Sequence, residues 1–187
     1  MAVYKVRIRG TAPYIQHRYP MPEEEKQFAE ECKARGLDPK KTSNIENSWY
    51  QNVSGAFIPF EHLKKAIDGS GKGEKVSGKG NATWNNILKI AVAILEPEIP
   101  FDPPKQKYEF IHKAYVKVGM ARVLRERPAF EKGWEAEFNL EADASEVPET
   151  ELKRFLTKAG RRGLGDYRPE KGGAFGTFEV LSFHLIE

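Results

Sequence analysis

Arg161, Arg162, Arg168 and Lys171 share one short connection with six glycines and the aromatics Tyr167 and Phe175, between Gly160 and Gly176. Glycines let a backbone take positive φ and come close to another molecule. Free N–H groups in such a loop form an anion-binding nest, and a polyphosphate backbone is the partner that this mixture of charge and bare backbone suits. The plainer alternative makes Gly160 a helix cap and the other glycines ordinary turns. The segment is not a Walker loop, because no Gly-Lys-Ser/Thr ends it and a strand pattern, Thr177 to Ile186, follows it.

Other groups with the same potential lie elsewhere. Arg122, Arg125 and Arg127 punctuate the end of a strand-like stretch. Lys72, Lys75 and Lys79 stand in a second glycine-rich segment, Asp68 to Asn81, which reads either as a cationic flap that orders on a nucleic acid or as a featureless loop. In Tyr14-Ile15-Gln16-His17-Arg18-Tyr19-Pro20 aromatic and basic residues are close enough to stack on bases and hold phosphates; equally, Tyr14 and Ile15 fit a core with His17 and Arg18 in solvent. His17 beside Arg18 is also the one pairing of a general base with a cation that strand cleavage would need. His62, alone near a helix start, reads as solvent-exposed. No Asp-x-Asp, His-x-x-x-His or Cys-x-x-Cys spacing occurs, so neither a metal site nor a cofactor is expected.

Composition sets the frame for these groups. The chain has 187 residues, enough for one domain with insertions, here expected at about residues 20–54 and 69–86. Its net charge is only +3, but the charges are segregated. Lys105 to Lys132 carries eight basic and three acidic residues, Lys153 to Lys171 seven and two, and Glu135 to Glu151 seven acids and no base. Such blocks make a basic and an acidic face if the fold keeps them apart. One cysteine, Cys32, rules out an internal disulfide. No apolar run reaches the roughly 20 residues of a membrane span, and no signal-peptide pattern opens the chain. A cytoplasmic protein without a membrane partner is the expectation.

The elements that must position these groups follow from periodicity. Val3 to Arg9 alternates as a strand with Lys5, Arg7 and Arg9 on a cationic face. Pro22 opens a helix to about Arg35, with Glu23, Glu24 and Glu25 in its first turn. Lys40 to Asn52 is an exposed loop anchored by Trp49 and Tyr50. Phe60, Leu63, Ala66 and Ile67 mark a second helix. Ile87 to Leu95 fits a central strand or a short buried helix, Ala114 to Leu124 a long strand, and Trp134 to Leu140 its hairpin partner. Ser145 to Ala159 is a helix with the stripe Leu152, Phe155, Leu156 and Ala159. In the last strand Phe178, Val180, Ser182, His184 and Ile186 share one face. This order predicts an α+β, ferredoxin-like split β-α-β fold, with an antiparallel sheet, two helices on one face and long insertions.

On Gly163-Leu164-Gly165 and Ala174-Phe175-Gly176 between the last helix and last strand, and on Gly55-Ala56-Phe57-Ile58-Pro59 before a helix, the chain resembles the RAMP superfamily of CRISPR-associated RNA-binding proteins, the Cas5, Cas6 and Cas7 types. It departs from the common pattern at Ala174, where a glycine is usual, and in its longer loop. The stretch Arg122 to Pro128 is also similar to one in small uncharacterised bacteriophage proteins. The two basic blocks, the two glycine loops and their aromatics point to a non-catalytic protein that binds single-stranded RNA or DNA and assembles along it, and the resemblance implies an RNA-contacting role for the loop. Two other readings stay open: a metal-independent endoribonuclease of the Cas6 type, and a viral assembly protein whose basic regions meet acidic partners.

Overall fold

The computed structural model describes all 187 residues, the side chains of Val118 and Ala121 excepted. Strand β1 (Ala2–Gly10) buries Tyr4, Val6 and Ile8 and turns Lys5, Arg7 and Arg9 outward. After the short β2 (Tyr14–Ile15), helix α1 (Pro22–Ala34) starts on Pro22, and the Glu24 carboxylate accepts from the Met21 N–H at 2.6 Å. Cys32 is the one fully buried residue of that helix. A short β3 (Gln51–Asn52) pairs with the wholly buried β4 (Gly55–Pro59). Helix α2 (Phe60–Ser70) follows, with Leu63, Ala66 and Ile67 inward.

Residues Trp84 to Ala91 form helix α3, and β5 (Val92–Ile94) continues from it as a three-residue edge strand. The apolar stretch expected as a strand or a buried helix is therefore both in succession. Strand β6 (Glu98–Pro100) pairs with β4. Strands β7 (Phe110–Val118) and β8 (Ala121–Phe130) make a hairpin. Then come β9 (Glu135–Ala142), helix α4 (Glu149–Arg162) and β10 (Phe178–Leu185).

The main sheet has the order β10-β1-β9-β5 with every neighbouring pair antiparallel. Each half of the chain contributes a strand, a helical crossover and a strand, β1–α2–β5 and β9–α4–β10, and the halves interleave. That is the ferredoxin-like arrangement. Leu63 and Ile67 of α2 and Leu152, Phe155 and Leu156 of α4 pack in one core with Val6, Ile8, Phe138 and Leu140, each such burial stabilising by about 1.5–3 kcal/mol.

Two strand expectations are corrected. Ala114 to Leu124 is not one strand, because the chain reverses at Gly119, whose φ is 60°, and the apolar residues on both sides hide the turn. Glu135–Ala142 consequently pairs with β1 rather than with the preceding strand. In β10, a bulge shifts the register so that Arg7 faces Ser182 but Ile8 faces Val180. Beyond it Phe183, not Ser182 or His184, turns inward and stacks on Tyr4 with ring centroids 4.6 Å apart. An inserted residue flips every later side chain to the other face.

A second sheet, β2-β8-β7, stands beside the main one. Tyr14, Phe101, Phe130 and Trp134 form the aromatic joint between them. Among the described residues no helix is long and apolar enough to cross a membrane.

Candidate nucleic-acid interface

The glycine-rich connection between α4 and β10 folds onto its own chain. Leu164 N–H donates to Gly176 O, Asp166 N–H to Ile15 O, Phe175 N–H to Tyr167 O and Gly176 N–H to Pro13 O, all at 2.7–3.1 Å. A Cβ on Gly165 would lie 2.2 Å from the Ile15 carbonyl oxygen, and one on Gly176 1.9 Å from that of Leu164. Both residues also have positive φ. The close approach that glycine permits is thus made to protein backbone. These N–H groups are used internally, so they do not form the open anion nest that the sequence allowed.

What the loop gains from that anchoring is a fixed position over the second sheet. Tyr167, held at φ 51°, packs against His112 of β7 at 5.1 Å between ring centroids, and Phe175 meets the same imidazole at 5.0 Å. The Arg127 guanidinium of β8 lies 4.8 Å from the Tyr167 ring centroid, a cation–π contact. Arg127 is only 6% exposed. Its Nε is 2.5 Å from Asp166 Oδ2, and His17 Nδ1 is 3.6 Å from the same oxygen. Arg127 Nη1 and His112 Nδ1 are buried with no hydrogen-bond partner among the described residues. A non-glycine residue in the left-handed region beside unspent polar groups is an arrangement that concentrates at functional sites.

The electrostatics agree with the geometry. The Asp166 carboxyl is lowered to about 2, chiefly by the His17 imidazole beside it, against the opposing effect of burial and with help from the Arg127 charge. His112 is lowered because burial disfavours its cation and Arg127 repels it, Asp166 opposing weakly. At neutral pH the centre is a carboxylate, a guanidinium and a neutral imidazole.

The anticipated residues fall in several different places. Arg127 and His17 come together at Asp166, and Tyr167 and Phe175 at His112. Arg122 and Arg125 continue along β8 toward the hairpin tip, exposed and without a carboxylate in ion-pair range among the described residues. Around the loop Arg161 and Lys171 are exposed, whereas Arg162 and Arg168 converge on Glu170 at 2.5 and 3.2 Å, and Arg168 also donates to Gly165 O. Arg18 is drawn away from His17 into a pair with Glu24.

Lys72, Lys75 and Lys79 belong to a different surface. Their segment lies along α4, where Gly69 approaches Arg162, Glu74 pairs with Lys158 and Arg154, and Lys79 pairs with Glu146 at 2.5 Å. His62, expected in solvent, instead shares a 2.6 Å hydrogen bond with the buried Tyr14 hydroxyl, and burial lowers it to about 4. His112 and Asp166 had no role in the sequence reading. A histidine on a strand and one of two acids in a basic loop gain meaning only when β7, β8 and the loop are brought together.

No protein-family model matches this sequence, and no curated protein matches it. Solved structures do. A chain of the type III-B Cmr-beta complex bound to cognate target RNA superposes with a TM-score of 0.56 at 10% identity, over 100% of this chain and 61% of that one. This protein therefore spans less than two thirds of that neighbour. A chain of a type IV-B CRISPR complex gives a TM-score of 0.46 at 8% identity, over 96% of this chain and 90% of that one. The likeness is one of fold.

Proposed function

We propose that this protein binds single-stranded RNA or DNA without cleaving it, along a track that runs from the tip of the β7–β8 hairpin to the glycine-rich loop. One observation carries this reading. Arg125 lies without a carboxylate partner, among the described residues, on the same face of β8 as Arg127, whose guanidinium stacks on Tyr167, and Arg122, also without one, projects from the other face near the tip. Lys117 sits directly across from Arg122, a like-charge pairing that costs stability in the free protein and that an anionic polymer would relieve. Lys171 and Arg161 extend the positive surface past the loop. Phosphate contacts of this kind position a strand without reading its sequence. The RNA bound in the Cmr-beta structure of similar fold supports the choice of polymer class. Assembly of several copies along one strand is part of the same proposal, with the hairpin tip, where Met120 is 99% exposed, as the protruding element.

The test is fluorescence anisotropy with single-stranded RNA, single-stranded DNA and duplex across a salt series. Tight and steeply salt-dependent binding to one single strand supports the proposal, and absence of binding at low salt removes it.

A second reading, metal-independent cleavage, is favoured by the approach of His17 to Asp166 with Arg127 alongside, a base and a cation in one place. Strand cleavage in chelator that disappears in His17→Ala would establish it. Cleavage undiminished in that variant would dispose of it.

A further inference from the structure

A groove of about 610 Å³ opens beside the cluster, between the residues that follow β2 and the edge of β8. His17, Tyr19, Phe28, Lys40, Asn44 and Arg125 line it. The volume falls within the range typical of small-molecule sites, and its walls differ in chemistry. Tyr19 is 80% exposed, yet its ring is held by the His17 ring at 5.2 Å between centroids. It offers one face of a fixed aromatic platform to solvent. Phe28 of α1 supplies an apolar surface. Lys40 and Arg125 stand at the groove with no carboxylate in ion-pair range among the described residues. The Asn44 side chain accepts from Asn47 at 3.1 Å but its Nδ2 is buried and donates to nothing.

Two carboxylates share the lining. Glu126 is paired with Lys113 at 2.6 Å, and Glu25 has no cation partner among the described residues. Glu25 thus adds an acceptor to a site otherwise rich in cations. An aromatic platform, flanking cations and a polar wall with both donor and acceptor match one ligand chemistry well: a nucleobase out of its stack, with its phosphate on the rim. We infer that the groove takes a single unstacked nucleobase from the bound strand, stacked on Tyr19, with Arg125 on its phosphate, and that the Glu25 acceptor favours bases carrying an exocyclic amino group. The inference rests on the single-strand-binding reading and adds base selection to it.

Labelled oligoadenylate, oligocytidylate and oligouridylate of equal length, with their deoxy counterparts, test this by anisotropy on the whole protein. Tyr19→Ala is expected to weaken binding by about fivefold to a hundredfold, the loss of one stacked base, while Tyr19→Phe stays within about twofold because the π-face remains. Adenine and cytosine strands are expected to bind more tightly than uracil strands. Ultraviolet crosslinking should map to the peptide holding Tyr19. Wild-type binding that Tyr19→Ala leaves unchanged overturns the groove and keeps the track, and equal affinity for the three bases overturns the amino-group preference. Failure of the wild type to bind any strand removes the track and the groove together.

Discussion

The outer face of β1 and the hairpin β7–β8 are both strands studded with cations, but they end in opposite electrostatic states. On β1, Arg7 and Arg9 both reach Glu135 at 2.7–2.9 Å, Arg7 also meets Asp102 at 2.8 Å, and Lys5 meets Glu137 at 2.8 Å. The neighbouring strand β9 brings the acidic block beside the basic one, and the charges cancel. On the hairpin, Lys113 alone of the exposed cations has such a partner among the described residues, Glu126. Arg125 faces Ala114 and Arg122 faces Lys117. The cationic face read from β1 is thus neutralised, while the hairpin keeps a positive potential that can reach outward. Cations along a strand become an anion-binding surface only when the strands beside them supply no carboxylates.

This contrast can be broken most strongly at the tip. Removing both charges with Arg122→Gln and Arg125→Gln should lower the slope of log K against log salt by about 1.4 and weaken single-strand binding near 0.1 M salt roughly 25-fold. Lys5→Gln with Arg9→Gln should leave both quantities unchanged, because those groups are already spent on Glu135 and Glu137. Equal effects from the two pairs, measured by anisotropy, would erase the distinction. A finer manipulation copies the β1 arrangement onto the hairpin. Ala114→Glu places a carboxylate opposite Arg125 and should cost about fivefold in affinity, the equivalent of one phosphate contact. No loss would mean that Arg125 never meets the strand.

Much of the fold was legible because it is local. The alternation of Tyr4, Val6 and Ile8, the stripe Leu152–Phe155–Leu156 and the Pro22 helix start each follow from neighbours a few residues apart. The hairpin turn at Gly119 was not, since Val116 and Val123 make the strand pattern run straight through it. The bulge in β10 escaped for a similar reason: alternation in sequence does not show an unpaired residue. At the candidate site, Tyr167, Phe175, Arg127 and His17 could be nominated by type. The groups they converge on could not, because Asp166 meets His17 and Arg127, and His112 meets Tyr167 and Phe175, only after the loop has closed over the second sheet. The loop's glycines announced a close approach, and the molecule approached was the chain itself.

The reverse substitution sharpens the comparison from the β1 side. Glu135→Gln releases Arg9 and leaves Arg7 with Asp102 alone, so binding to single strands should rise by about twofold with a steeper salt dependence. Stability should fall by no more than about 1 kcal/mol, since these are surface pairs. A variant whose affinity stays at the wild-type level would show that freed arginines on the main sheet lie outside the track.

The smallest expected effect concerns the boundary between the two regimes. Asp166 does for Arg127 what Glu135 does for Arg7, at the base of a hairpin whose tip cations are uncompensated among the described residues. Its folded-state value of about 2 is below the ordinary aspartate value near 3.9, so the unfolded chain binds its proton first as pH falls. The stabilisation is therefore complete above about pH 4 and drains away as pH drops toward 2. The carboxylate is about one-third exposed, so solvent screening holds its contribution to about 1 kcal/mol. Asp166→Asn should lower denaturant stability by that amount at pH 7 and by nothing near pH 2. Single-strand affinity should hold or rise slightly, because a negative charge leaves the base of the track. A fall in affinity with no change in stability would instead assign Asp166 to the bound strand itself, and the boundary would move from between the two sheets into the middle of the interface.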